Sequence, residues 1–167
     1  MRRLASGLLL CGLLAPTPAA LAADDRCRDS AYAGELAALF VAPRELGSDW
    51  DAVRESPSNP ADDPELHAGG VTAVQSVHYT RARPDGSEVC SLEIWGFATP
   101  AGARRAVSQV GSPAWRISSL GNLLLMTRGT TLNREHGFHP GLLPECQRLA
   151  DLAEVRARAI LGCADSR

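Results

Sequence analysis

Residues 71–97 read VTAVQSVHYTRARPDGSEVCSLEIWGF, and this stretch decides the fold. Two runs of alternating apolar and polar residues flank the triplet Pro84-Asp85-Gly86. Alternation with a period of two is typical of a half-buried β-strand, whereas proline presets the backbone of a turn and glycine tolerates positive φ. The stretch therefore predicts a β-hairpin with strands over 71–81 and 87–97 and a four-residue loop over 83–86.

The pairing register of this hairpin decides which side chains are neighbours, because successive residues of a strand face opposite sides of the sheet. A four-residue loop leaves one face apolar apart from Gln75, as a sheet face covered by a helix requires. A three-residue loop would place Val77 opposite Glu93 and mix the two faces. We therefore predict the register with the longer loop. It pairs Val74 with Trp95, Ser76 with Glu93, His78 with Ser91 and Thr80 with Val89.

The rest of the chain predicts helices that pack on this hairpin, and we expect an α+β domain. Its architecture is a small antiparallel sheet with helices packed mainly on one face. The apolar face of the hairpin holds Val77, Tyr79, Cys90, Leu92 and Ile94. The other predicted elements are a helix over 31–41, a strand over 50–55, an exposed loop over 56–70, a helix that begins at Pro100, a buried strand over 122–127, an irregular segment over 130–141 and a helix between Pro144 and Gly162.

The polar face of the hairpin carries the candidate ligand-binding site. His78 and Glu93 are diagonal neighbours in the predicted register, so their side chains are within reach of each other. A histidine oriented by a carboxylate is the usual minimum for general-base catalysis, while Trp95 with Phe97 could form an apolar floor for a small ligand. The ordinary alternatives are a solvated face, or aromatic side chains covered by the first helix or the long loop. The candidate residues are Ser76, His78, Ser91, Glu93 and Trp95.

The first 22 residues have the pattern of an export signal. Two arginines precede an uncharged apolar run over 4–14, and Ala20-Leu21-Ala22 matches the small-x-small pattern of a cleavage site. That run is short of the roughly 20 residues that span a bilayer, although an uncleaved membrane anchor is the alternative. We expect a single domain over 23–167 in the periplasm or outside the cell, with no membrane span after cleavage.

Four cysteines follow the predicted signal, namely Cys27, Cys90, Cys146 and Cys163. An even number of cysteines in an exported chain predicts disulfides, and the absence of Cys-x-x-Cys spacing argues against a zinc knuckle or a thioredoxin-like site. Four cysteines allow three connectivities, and the sequence does not fix the choice. We favour Cys90–Cys146 with Cys27–Cys163, because both members of the first pair fall on apolar faces.

Composition and motifs exclude several classes of function. Seventeen basic residues, all arginine, against 19 acidic ones give a net charge of −2, which removes any general case for nucleic-acid binding. Without lysine, Schiff-base chemistry and a phosphate-loop lysine are excluded. His136 and His139 lack the order of a zinc-peptidase motif, and His67 lies among acids that lack EF-hand spacing. We therefore expect no metal and no cofactor.

Two classes of function remain. The first is a non-catalytic exported domain that binds a small molecule, a peptide or a protein partner. The second is a small hydrolase or lyase that uses His78 and Glu93 as an acid–base pair. We favour binding, because the sequence offers no identifiable nucleophile or oxyanion donor.

Overall fold

Six antiparallel strands form one sheet in a computed structural model, which describes Cys27 and residues 36–110, 115–141 and 143–163. The strands are β1 (Asp51–Arg54), β2 (Val71–Arg83), β3 (Gly86–Phe97), β4 (Trp115–Leu120), β5 (Leu123–Asn133) and β6 (Gly137–Pro140). Their order across the sheet is β1-β2-β3-β5-β4, and β6 pairs with the remaining half of β5. The α-helices are α1 (Pro64–Ala68), α2 (Pro100–Val110) and α3 (Pro144–Leu161). The α+β architecture is therefore confirmed.

The hairpin of β2 and β3 has the predicted register. Val74 pairs with Trp95, Ser76 with Glu93, His78 with Ser91 and Thr80 with Val89. Its strands are longer than the sequence predicted, so only Pro84 and Asp85 remain between them. Gly86 can join the ladder because it has no side chain: a Cβ there would lie 1.8 Å from the carbonyl oxygen of Leu132 on β5.

The first face of the sheet is the apolar face of the hairpin, and it carries the larger core. Helix α3 lies on this face and buries one stripe at helical spacing. The helix begins at Pro144, as predicted, and Gly162 ends it in the left-handed conformation with φ of 59°. The buried stripe of α3 consists of Cys146, Leu149, Ala153, Ala157 and Leu161.

The segment 36–50 completes the cover of the first face. Tyr79 is fully buried there, and its Oη donates to the carbonyl of Val41 at 2.8 Å and accepts from the N–H of Val41 at 3.0 Å. Burial raises the pKa of Tyr79 to about 12, although the bond to the Val41 backbone opposes this rise. The phenol is therefore buried in the core as a neutral group, and its hydroxyl is satisfied both as a donor and as an acceptor.

Two disulfides join the elements of the first face. Cys90–Cys146 links β3 to α3 through the core, and Cys27–Cys163 links residue 27 to the end of α3. This is the pairing favoured by the apolar positions of Cys90 and Cys146. Helix and sheet are thus held together by covalent bonds as well as by apolar burial.

The opposite side of the sheet, the second face, is covered at one end by α1 and α2. Thr99 caps α2, because its Oγ1 accepts from the N–H of Gly102 at 3.2 Å, and Pro100 occupies the first turn. The apolar stripe of α2 packs on the sheet and forms a smaller core. The buried residues of that core are Val71, Val74, Phe97, Ala103, Ala106, Leu124 and Met126.

Two local predictions near the N-terminal part of the domain are wrong. The helix predicted to reach Val41 gives way to a 3₁₀ turn over Ala37–Leu39 and then to extended backbone at Phe40 and Ala42. Pro43 contributes at Ala42, because the residue directly before a proline is disfavoured in the α conformation. The segment 56–70 is not simply a loop. It contains a 3₁₀ turn at Pro60–Asp62 and the short helix α1, whose first amides donate to Asp63 Oδ1.

The sequence did not predict two of the strands. β4 was not predicted, and the segment 130–141 is not irregular: β5 continues to Asn133 and turns at Gly137, with φ of 78°, into β6. The predicted signal over 1–22 and the predicted helical residues 31–35 lie outside the described residues. Among the helices within the described ranges, none is long and apolar enough to cross a membrane.

Candidate functional site

The candidate site lies on the half of the second face beyond α1 and α2, which we call the open half-face. Strand pairing places Val53, His78, Ser91 and Arg128 in one row across β1, β2, β3 and β5. Leu132 on β5 pairs with Phe138 on β6 near the far edge. Three large apolar side chains here face water: Val53 and Phe138 are each 62% exposed and Leu132 is 42% exposed.

His78 is held by two side chains at once. Its Nε2 lies 2.9 Å from Glu55 Oε1, and its Nδ1 lies 2.8 Å from Ser91 Oγ. Because a carboxylate only accepts hydrogen bonds, Nε2 carries the proton that is donated to Glu55. In the neutral ring, Nδ1 then accepts from the hydroxyl of Ser91. The imidazole is therefore fixed in both tautomer and orientation.

The carboxylate that contacts His78 is thus Glu55, whereas the sequence suggested Glu93. Glu55 follows β1 directly, and its N–H donates to the carbonyl of Ser76 at 3.0 Å, so it continues the pairing of β1 with β2. Position 55 is then diagonal to His78 on the second face. The sequence could not reveal this contact, because β1 is four residues long and carries no alternation that fixes its register.

The five predicted site residues share the second face but lie in different surroundings. His78 and Ser91 belong to the open half-face. Ser76 and Glu93 pair with each other in the next row, and both are half-buried. Trp95 lies a further row along, under the covered end, and packs against the smaller core. The structure therefore separates Trp95 from His78, which the sequence had grouped with it.

A cavity of about 170 Å³ lies at the centre of the open half-face. Small-molecule sites usually have volumes of roughly 300–1,000 Å³, so this cavity suits a single inserted side chain better than a whole ligand. The sequence did not predict the part of the cavity lining that Leu132 and Phe138 supply, because both residues fall in the segment predicted to be irregular. The β-branched pair Thr130-Thr131 was the signal that could have extended the predicted strand to Leu132. The residues that line the cavity are His78, Val89, Ser91, Arg128, Thr130, Leu132 and Phe138.

Arg128 gives the open half-face its positive charge. The guanidinium carbon lies 4.8 Å from the ring centroid of Trp115 on β4, and Arg128 itself is exposed. Among the described residues no carboxylate forms an ion pair with it. The indole fixes the direction of the guanidinium while the charge stays available, which is the arrangement of a cation that meets a carboxylate on another molecule.

Ser91, His78 and Glu55 form a hydrogen-bonded series of the kind that activates a catalytic serine hydroxyl. The hydroxyl, however, belongs to a residue that is only 4% exposed. β3 is also flanked on both sides by β2 and β5, so the ladder uses its backbone amides on both edges. No amide beside Ser91 is therefore free to bind an oxyanion, and catalysis by acyl transfer lacks its main stabilising element.

The residues that the structure describes offer little support for metal ligation. Over the ranges that the structure describes, no three side chains of histidine, cysteine, aspartate or glutamate come close enough to hold an ion. His136 lies in the turn before β6, and His139 pairs with Thr131 in the β6–β5 ladder.

Comparison with known proteins adds no identification. No protein-family model, curated protein sequence or solved structure matches the chain. Any functional conclusion therefore depends on the geometry described above.

Proposed function

We propose that the protein is a non-catalytic exported domain that binds a protein partner through the open half-face. The observation that carries the proposal is the exposure of Leu132 and Phe138 at the cavity beside His78, together with the exposure of Val53, which pairs with His78 on the neighbouring strand. Large apolar side chains exposed on one face commonly mark interaction sites on soluble domains. The rigid sheet beneath them supports docking, because pre-ordered side chains lose little conformational entropy on binding.

The lining of the cavity defines the chemistry of the partner. An apolar side chain inserted between Leu132 and Phe138 would displace water from both, as the central anchor of an interface does. A carboxylate next to that anchor would pair with the guanidinium of Arg128. Val53 and Phe138 lie on strands separated by four strand spacings, roughly 19 Å, a span that suits a protein surface better than a small molecule.

Export is part of this proposal and rests on two features. The pattern over 1–22 is that of a cleavable signal, and the two disulfides of the domain are compatible with an oxidising compartment. We infer that the domain works in the periplasm or outside the cell.

The test uses a photoreactive residue in the cells that make the protein. Phe138 is replaced by p-benzoylphenylalanine, and the matched control carries the same residue at Val155, an exposed position on α3 with 64% accessibility against 62% for Phe138. The proposal expects a discrete crosslinked species with a second protein from position 138 that is absent from position 155. Leu132→Asp in the same chain should reduce this species strongly, because it places a charge in the cavity.

Three outcomes would overturn the proposal. They are the same crosslinks from both positions, no crosslink from position 138, and a crosslink only to a second copy of this chain. In the last case the open half-face is a contact between copies.

A hydrolase or lyase is the second candidate, and one observation favours it. The Ser91 hydroxyl, the His78 ring and the Glu55 carboxylate form a continuous hydrogen-bonded chain. Such a chain supplies an oriented general base. We place this candidate second because Ser91 is buried and lacks neighbouring oxyanion donors.

A further inference from the structure

The outer edge of β4 has unpaired backbone groups. A two-residue turn, Gly121-Asn122, joins β4 to β5, and Leu120 pairs with Leu123 across it. Residues that flank such a turn exchange backbone hydrogen bonds, and every second residue along the antiparallel ladder does the same. The residues between them direct their N–H and C=O groups away from β5, and within the described ranges no backbone group bonds to them there. These outward residues of β4 are Trp115, Ile117 and Ser119.

This edge also lacks the usual protection against another strand. Edge strands of monomeric domains are commonly kept short or given exposed charges. β1, at the other edge of the sheet, has four residues and exposes Asp51 and Arg54. β4 has six residues and one charge, Arg116, whose Nη1 is held 2.5 Å from Asp151 Oδ1 on α3. The charge of β4 is therefore drawn onto the first face and away from the edge.

The smaller core of the second face is incompletely covered at the same edge. Trp115 and Ile117 pack against this core from β4 but stay partly exposed. Val107 on α2 is also half-buried against it. Arg105 and Gln109 line the gap between α1 and α2, and Val107 lies on the opposite side of the helix, toward β4. A strand added beside β4 would thus cover apolar side chains as well as backbone groups.

We propose that two copies of this chain pair through their β4 strands, antiparallel about a two-fold axis. Only outward residues have free backbone groups, so they must face one another. This condition is met when Ile117 lies opposite the same residue of the second copy, which also brings Trp115 opposite Ser119. A large side chain then meets a small one, and Arg116 lies opposite Ser118, so no like charges oppose each other.

The other two-fold registers fit less well. A register centred on Arg116 would place two arginines directly opposite each other, which is unfavourable. A register centred on Ser118 would leave Trp115 facing the turn at Gly121, beyond the end of the second strand. The register centred on Ile117 alone pairs every outward residue. The sequence of β4 is therefore complementary to itself, as a two-fold interface requires, and this complementarity is the argument for a second copy as the occupant.

The axis of such a pair is perpendicular to the sheet, so the second faces of both copies lie on the same side. The dimer would then present two open half-faces to one partner. This last consequence rests on the proposed function, whereas the pairing of β4 strands does not.

The first test measures the mass of the protein, purified from the cells that make it, by sedimentation equilibrium. We expect a dimer that dissociates on dilution. Ser119→Pro removes an outward N–H and keeps the ladder to β5, and proline is tolerated at such edge positions. Because each dimer loses two hydrogen bonds, we expect its dissociation constant to rise about thirtyfold.

Ala52→Pro is the matched control for the proline variant. The N–H of Glu55 donates to β2, so the ladder directs the N–H of Ala52 away from β2 at the opposite edge of the sheet. We expect this variant to dimerise like the wild type. Thermal unfolding checks that both variants are folded.

A cysteine crosslink tests the register. Facing residues of a hydrogen-bonded antiparallel pair have α-carbons about 5.5 Å apart, within the roughly 4.4–6.8 Å that a disulfide spans. Ile117→Cys should therefore form a disulfide-linked dimer on mild oxidation. Val155→Cys, at a position that is 64% exposed on α3, should crosslink at least tenfold more slowly.

Three results would overturn the proposal: a monomer at millimolar concentration, equal effects of the two proline variants, and equal crosslinking of the two cysteine variants. If Ser119→Pro does not fold, the cysteine variants decide alone. A monomer would leave the crosslinking test at position 138 unaffected, and a failure of that test would not change the measured mass, so the two proposals fail independently.

Discussion

The guanidinium of Arg81 lies 2.8 Å from Glu145 Oε1, and this contact joins the central hairpin to the first turn of α3. Arg81 also donates from Nε to Glu88 Oε2 at 2.8 Å and stacks on Trp50, with its guanidinium carbon 4.6 Å from the ring centroid. Its side chain is 10% exposed and that of Glu88 is 15% exposed. A nearly buried cation thus links β2, β3, α3 and the N-terminal segment.

Arg81→Gln should therefore destabilise the domain by about 3 kcal/mol, because it leaves Glu88 without its main partner at a site with little water. Arg83→Gln is the control. Arg83 contacts the same carboxylate at 3.0 Å, but its side chain is 41% exposed, so we expect a loss below about 1 kcal/mol. Urea unfolding of both variants measures the difference, and equal losses would contradict the role given to Arg81.

Tyr79 should make the domain sensitive to alkaline pH. Its pKa is about 12 in the folded chain, against roughly 10 in an unfolded one. A raised folded pKa means that this contribution is fully present below pH 10 and is lost as the pH rises through 12. The difference corresponds to roughly 2–3 kcal/mol.

Absorbance titration of tyrosinate measures this effect directly. The chain has two tyrosines, and Tyr79→Phe should remove the one that titrates late. The same variant loses both hydrogen bonds to Val41, so its free energy of unfolding at neutral pH should fall by about 1–2 kcal/mol. If Tyr79 titrated near pH 10 in the native state, the burial argument would be wrong.

Gly86 should tolerate no side chain. Its Cβ would meet the carbonyl oxygen of Leu132 at 1.8 Å, and backbone on a neighbouring strand cannot move aside cheaply. We expect Gly86→Ala to cost about 3 kcal/mol in thermal or urea unfolding. Gly141→Ala is the matched control, since no atom of the described residues beyond its chain neighbours lies within 4 Å of a Cβ at that position, and its effect should stay within about 0.5 kcal/mol. A small cost at both positions would refute the close approach of β5 to the turn.

Hydrolysis separates the two functional candidates. If the domain only binds, the wild type and Ser91→Ala should release p-nitrophenol from p-nitrophenyl acetate at the same slow rate. If Ser91 is a nucleophile activated by His78, the wild type should show a burst that both Ser91→Ala and His78→Ala abolish. Val155→Ser, at an exposed position on α3 that does not line the cavity, should leave that rate unaltered in either case and serves as the control.

The register of the hairpin could be predicted because its two strands carry independent alternation patterns, although the strands extend closer to the turn than predicted. Only one register makes Val77, Leu92 and Ile94 share an apolar face, and a slip by one residue would turn one strand over completely. The same faces favoured the observed disulfide pairing, although the sequence alone left three connectivities open. Such agreement between separate patterns is what makes a sequence prediction specific.

Elements without a repeating pattern could not be predicted. β4 reads WRISSL, in which apolar and polar residues do not alternate regularly, and its place in the sheet depends on pairing with β5. Helix α1 depends on a cap by Asp63 and on a proline, and these features also occur in ordinary turns.

The candidate site was predictable only in part, because some of its residues come from segments that are distant from the hairpin in sequence. His78 and Ser91 were placed by the hairpin register, but Glu55 comes to His78 through an edge strand. Phe138 comes to the same surface through a hairpin further along the chain. Contacts between segments that are distant in sequence depend on tertiary pairing, which local patterns do not encode.

The cystine between Cys27 and Cys163 holds their α-carbons 4.2 Å apart, close to the spacing of neighbouring residues along a chain. A short peptide could replace that bridge and allow circular permutation, with the polypeptide reopened at the exposed Pro84-Asp85 turn. Such a permutation cuts none of the six strands. The chain would therefore build the same sheet although its strands are synthesised in a different order.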